Sequence, residues 1–301
     1  MDKGYGLVNK IISILEEIPL GPFRIPAGLK LREAMLINGI LFNSEVWYDV
    51  KEDEVNKLKS VDDYLLRKIL GAPSKTPKEA LYLETGCVPL DYIMKSRRLM
   101  YLHHLVRRPK EELIRRFYEA QKCKSSKGDW VLTVMEDAKE LKIDIDEEKL
   151  SQTSKEKFRR IIKNKVAELA YESLIRKKNT HSKMENIQYR EMELQGYLKS
   201  NCKLKYEDKQ LLFKLRTRMT EVKHNFRNKY ADQICPLCKS EEDTQYHLIN
   251  CQRILENCPD LAENINIEYE DIFSNGSKQM EAAILFSKVW KTREKLLDVE
   301  I

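Results

Sequence analysis

The chain has 301 residues, 42% hydrophobic and 34% charged, with a net charge of +6. That length holds two or three modest domains, and that composition supplies apolar cores under a highly charged surface, which excludes a wholly disordered chain. No apolar run approaches the ~20 residues of a membrane span and no signal-like segment follows Met1, so the expectation is a soluble, intracellular protein, nuclear or cytoplasmic, with no membrane partner.

Apolar spacing is mostly helical, and ten Gly and nine Pro punctuate the chain thinly, so the predicted class is mainly α. Residues 7–18 read as a short apolar helix, ended by Pro19-Leu20-Gly21-Pro22. Residues 31–47 are apolar on nearly every side and predict a central buried helix. Residues 52–70 are amphipathic through Val55, Leu58, Val61, Leu65, Leu66 and Ile69, with Gly71 placed to end the helix. Thr76-Pro77-Lys78-Glu79 reads as a capping box with Pro at the first helical position, and the short helix it opens stops at Gly86. Pro89 opens the next helix, where Arg97, Arg98, Arg107 and Arg108 accompany Ile93, Met100, Tyr101 and Leu105. His103 and His104 lie on it without a second ligand at metal spacing, and read as core or surface histidines.

Ser125-Ser126-Lys127-Gly128 reads as a linker, after which Asp129 caps a helix from Trp130. Residues 142–154 are polar and predicted irregular, and 177–185 form a second polar linker. Between them a long helix turns Phe158, Ile161, Ile162, Val166, Leu169 and Leu174 inward. Residues 208–222 carry the inward stripe Leu211, Leu212, Leu215, Met219 and Val222, and a basic stretch continues to Tyr230. The tail, 255–301, is acidic early and ends in an amphipathic helix through Ile284, Leu285, Val289 and Leu296.

The sharpest motif is Cys235-Pro236-Leu237-Cys238, followed by His247 and Cys251, which gives C-x2-C-x8-H-x3-C. Thiols two residues apart form a knuckle that offers both sulfurs to one ion. Asp243 or Thr244 can cap a helix on which His247 and Cys251, four apart, share a face. Four such donors suit tetrahedral Zn²⁺ and leave no open position, so the site is expected to be structural. Cys258 is the one substitute ligand in reach. The other cysteines, Cys87, Cys123, Cys202 and Cys258, are scattered and the total of seven is odd, with no disulfide framework.

Charge is uneven. Residues 95–116, 155–178 and 203–230 each carry +6, which leaves −12 for the rest. Three basic blocks, one against a zinc module, point to a polyanion. The expected contacts are Lys214, Arg216, Arg218, Lys223, Arg227 and Lys229, on a basic helix spanning 214–229. No Gly-rich phosphate loop or nucleophile elbow is present, and the pair Asp62-Asp63 falls inside a helical stripe, expected to be a solvated face. The residues give no catalytic site.

The stretch Leu31-Arg-Glu-Ala-Met-Leu-Ile-Asn-Gly-Ile-Leu-Phe-Asn-Ser-Glu-Val-Trp-Tyr48 resembles the region just after the palm of non-LTR (LINE-type) retrotransposon reverse transcriptases. The likeness continues through Leu65-Leu-Arg-Lys-Ile-Leu-Gly-Ala-Pro73, Thr76-Pro-Lys-Glu-Ala-Leu-Tyr-Leu-Glu84, Gly86-Cys-Val-Pro89 and Arg97-Arg-Leu-Met-Tyr-Leu-His-His104. It resumes at Arg216-Thr-Arg-Met219, Asn225-Phe226, Tyr230 and the Cys/His motif.

The resemblance implies a helical thumb and its extension, a helical connector and a small C-terminal zinc module. The expected units are 1–122, thumb-like; 129–200, connector; 206–255, basic helix with the Cys-Cys-His-Cys module; and 256–301, acidic helical tail. In that family the thumb grips the template–primer duplex, and the zinc module would help hold element RNA or target DNA. Fingers and palm, with their Tyr-x-Asp-Asp motif, are expected before Met1. The expected function is thus nucleic-acid binding by the C-terminal part of a reverse transcriptase, without its own polymerase or endonuclease site. Other readings are a fragment of an active RNA-directed DNA polymerase, a host-adopted zinc adaptor for proteins, or a relic.

Overall fold

The computed structural model describes residues 2–123, 128–259, 261, 266–274 and 276–299. Of the expected linker 125–128, only Gly128 lies among them. The described residues form helices joined by turns, with no strand and a single antiparallel bridge, Ile234 with Glu242. None of these helices is long and apolar enough to cross a membrane.

The first core forms around α1 (Asp2–Glu17), α2 (Arg24–Leu31), α4 (Glu52–Leu70) and α5 (Lys78–Thr85). Val8, Ile11, Ile25, Leu65, Leu66 and Leu81 meet there, away from water. The predicted helix 31–47 is not one helix. α2 passes into a π-helical turn, Arg32–Ile37, then a single α-turn, α3 (Asn38–Ile40), and the chain ends the run in a 3-10 turn at Ser44–Val46. The wider turn brings Arg32 into the core, where it makes a two-pronged ion pair with Asp62 at 2.6 Å. A continuous α-helix would place that arginine differently, and π-turns persist where such a local demand exists.

Asp62 and Asp63 do lie on a helix, but their face is buried rather than solvated. Asp62 holds Arg32, and Tyr82 donates its hydroxyl to Asp63 at 2.7 Å. Gly71 and Gly86 end α4 and α5 in the left-handed conformation, at φ +61° and +66°. The capping box at Thr76 does not form: Pro77 is itself the cap residue, and no side chain caps the helix.

The second core lies between α6 (Leu90–Val106), α7 (Leu113–Cys123), α8 (Trp130–Glu140), α9 (Glu147–Gln152) and the first half of α10 (Lys155–Lys178). Leu99, Leu102, Trp130, Val134, Phe158 and Ile162 fill it. α9 occupies part of the stretch expected to be irregular, because Asp146 caps it by accepting the amides of Glu148 and Lys149. Ile161, expected inward, faces solvent. α10 bridges the two cores, giving Phe158, Ile162 and Val166 to one and Leu174 to the other.

The chain returns to the first core through α11 (Tyr206–Arg216) and the C-terminal α13 (Ser277–Val299). Leu212, Phe213, Ala282, Ala283 and Phe286 pack there beside residues of α1 to α5. Four buried arginine–carboxylate pairs clamp the segments: Arg32–Asp62, Arg98–Asp137, Arg216–Glu84 and Arg293–Asp243. Each joins elements well apart in sequence, and a buried pair of this kind fixes register because neither partner tolerates losing the other.

Candidate metal centre

Cys235, Cys238, His247 and Cys251 come together in space, with all four donor atoms within 4.8 Å of one another. The knuckle is closed by its backbone. The amide of Cys235 donates to Glu241 O at 2.8 Å, and that of Lys239 to Cys235 O at 3.0 Å. The turn requires a left-handed residue, and Lys239 takes that conformation at φ +58°. Cys235 and Cys251 place their sulfurs 3.9 Å apart, and Cys238 Sγ lies 3.3 Å from His247 Nε2.

His247 and Cys251 do not share one helix face, as the sequence suggested. Thr244 accepts the His247 amide at 2.9 Å and starts a 3-10 turn, His247–Ile249, which stops before Cys251. Cys251 is instead the cap residue of the next short helix, α12 (Gln252–Leu255). Two separate turns thus deliver the two ligands. Asp243 does not cap either turn. It is buried, accepting the Lys223 amide at 2.8 Å and Arg293 at 2.9 Å. Cys258 packs in the same apolar cluster but is not among the four converging donors.

The local surroundings shift two of the thiols in opposite directions. Burial opposes ionisation of Cys238, yet the Ser240 hydroxyl and the amides of Ser240 and Glu241 draw its thiol down to about 6. Cys251 is pushed up to about 12, first by burial and then by the charge of Cys235 beside it. A bound cation would favour the ionised form of such buried neighbouring thiols. Glu241 accepts from His247 Nδ1 at 3.0 Å, which leaves Nε2 facing the sulfurs. The four residues can therefore hold a metal ion, with Cys235, His247 and Cys251 buried and Cys238 partly exposed. The module they would fasten packs Leu248 and Ile254 against Leu285 and Val289 of α13.

The expected basic helix 214–229 is broken. α11 ends at Arg216, and 223–229 form 3-10 turns kinked at Phe226. Arg216 is withdrawn from the contact surface: it is 2% exposed, paired with Glu84 at 3.0 Å, and donates to Ile272 O. Its neighbours are partly neutralised. Arg218 meets Glu185, Lys223 meets Asp232 at 2.6 Å, Arg227 lies 3.7 Å from Glu242, and Lys229 lies 3.9 Å from Glu221. Lys214 has no such partner among the described residues. His103 is buried against Phe158 and bonds Thr153 O, while His104 is exposed beside Arg108.

Sequence reasoning missed Glu241 and the Asp243–Arg293 clamp. A carboxylate six residues before a ligand histidine is a weak signal, and a pair fifty residues apart gives none. No family model, curated protein or solved structure matches the chain.

Proposed function

We propose that the four-donor centre holds structural zinc, and that the zinc-held module carries a nucleic-acid-binding segment within the C-terminal part of a LINE-type reverse transcriptase. Three sulfurs and one imidazole form a donor set that selects zinc over hard cations. Tetrahedral zinc with ~2.3 Å bonds to sulfur separates two sulfurs by ~3.8 Å, and Cys235 and Cys251 stand 3.9 Å apart.

The observation that carries the binding reading is the fastening of the basic segment to this module. Asp243 takes the amides of Lys223 and His224, and Asn225 donates to Gln245 at 3.3 Å. Zinc would therefore fix Lys223, Arg227 and Lys229 in place. Their surface ion pairs contribute little, about 0–1 kcal/mol each, and phosphates can take the carboxylates' place. Membership in the reverse transcriptase family rests on the sequence resemblance.

The test is titration of the 301-residue protein with RNA and DNA at several salt concentrations. Lys223→Glu, Arg227→Glu and Lys229→Glu together should weaken binding and flatten its salt dependence by about one unit of slope per lost phosphate contact. Unchanged affinity and slope would remove this surface from the account.

A further inference from the structure

A groove of about 1170 Å³ runs between α6, α10 and the turn at 42–45. Two of the three basic blocks meet across it. α6 and its end supply Arg97, Arg107 and Arg108, and α10 supplies Lys155, Arg159 and Lys163. The three on α10 recur every four residues, so they line one helix face over about 12 Å. Glu45 is the one carboxylate in the lining.

These charges are less compensated than those at 214–229. Arg107, Lys155, Arg159 and Lys163 have no ion pair or side-chain hydrogen bond with any described residue. Arg97 is used to hold the turn, donating to Leu41 O and Asn38, and Arg108 lies 3.7 Å from Glu112. His104 reports the local potential: burial and then the charges of Arg108 and Lys155 hold it below its usual value. Unpaired cations facing one another repel, and a polyanion is the partner that relieves them.

The other lining decides which polyanion. Phe42 stands on the rim 70% exposed, although it is a large apolar side chain. Tyr101 and His104 are stacked, rings 17° apart with centroids separated by 6.1 Å, on the wall. Flat faces beside a cationic track are what unpaired bases stack on, whereas a duplex keeps its base faces covered. An acidic peptide would use the charges and leave the rings idle. The volume also exceeds the ~300–1,000 Å³ usual for a small-molecule site, which favours an oligomer.

We propose that this groove binds a single-stranded stretch of nucleic acid, with phosphates along Lys155, Arg159, Lys163 and Arg107 and a base on Phe42. It shares the ligand class of the proposed function but not its surface.

The experiment is fluorescence anisotropy of the full chain with dT12, rU12 and a 12-base-pair duplex across a salt series. Lys155→Glu, Arg159→Glu and Lys163→Glu together should lower affinity for both single strands at least tenfold and reduce the salt slope by about two. These positions are exposed, and circular dichroism and metal content would report an intact fold. Phe42→Ala should lower single-strand affinity by about 5–150-fold with the salt slope kept. Single strands should compete better than duplex for the groove.

Wild-type affinity in the α10 variant would overturn the proposal, as would equal use of duplex. So would displacement by poly-glutamate with no effect of Phe42→Ala, which would assign the groove to acidic peptides. The module variant Lys223→Glu, Arg227→Glu, Lys229→Glu separates the two readings. Loss there alone leaves the proposed function standing and this site refuted. Loss in the α10 variant alone does the reverse for the two surfaces.

Discussion

His247 can offer Nε2 to an ion only while its proton sits on Nδ1, and Glu241 selects that tautomer at 3.0 Å. Glu241→Gln should therefore weaken zinc affinity by about 10–100-fold, read by competition with a chelator. An unchanged affinity would make Glu241 a bystander. At Arg32 and Asp62 the same logic acts on stability. Both are buried, and Asp62→Ala leaves a guanidinium without its partner. Urea unfolding should show a loss of about 3–5 kcal/mol for that variant, and a much smaller loss when Arg32→Met is added, because the stranded charge is then gone as well. Additive losses would mean that the pair is not what holds the π-helical turn to α4. Arg216 belongs with these groups rather than with the surface cations, so a charge reversal there would report folding instead of nucleic-acid binding.

Helix ends were the legible part of the secondary structure. Gly71 and Gly86 stop α4 and α5 where the pattern put them, because both need φ near +60°. They differ in what surrounds them. A Cβ on Gly86 would meet Glu193 backbone at 2.4 Å, whereas on Gly71 it would meet the Gln210 side chain, which can move aside. Gly86→Ala should lower the thermal midpoint more than Gly71→Ala, since left-handed strain of about 1–2 kcal/mol is common to both and the backbone clash is not. Equal shifts would mean that residues 193–195 yield easily. The convergence of Cys235, Cys238, His247 and Cys251 was legible from spacing alone, but their local frame was not. A helix was read across His247 and Cys251, where two turns stand, since i,i+4 spacing cannot distinguish one helix from a 3-10 turn followed by a cap. The π-turn at Arg32–Ile37 was hidden for a similar reason. Its first residue, Arg32, pairs with Asp62, thirty residues on, and periodicity carries no information about a partner that far away.

At the scale of the molecule, the cores interleave. The first core draws on α1 to α5, α11 and α13, and α10 reaches into both the first and second. Buried ion pairs across these returns are invisible in composition, which explains why Asp62 and Arg216 read as surface groups. The metal module is coupled to the body through Leu285 and Val289 and through Arg293–Asp243. Chelation should raise amide exchange over residues 222–258 and loosen the end of α13, while the Glu84 network, held by Arg216, Tyr189 and Tyr197, keeps its protection. Uniform loss of protection would show that the metal supports the whole fold rather than the module. Acidification should release the ion, because protons compete for the thiolates and for Nε2.

X-ray absorption at the zinc edge of the purified 301-residue protein tests the central claim most directly. The account predicts one zinc per chain in a shell of three sulfurs at ~2.3 Å and one nitrogen at ~2.0 Å, with the sulfur count falling in Cys238→Ser. A metal-free protein, or a shell of oxygen and nitrogen alone, would contradict it.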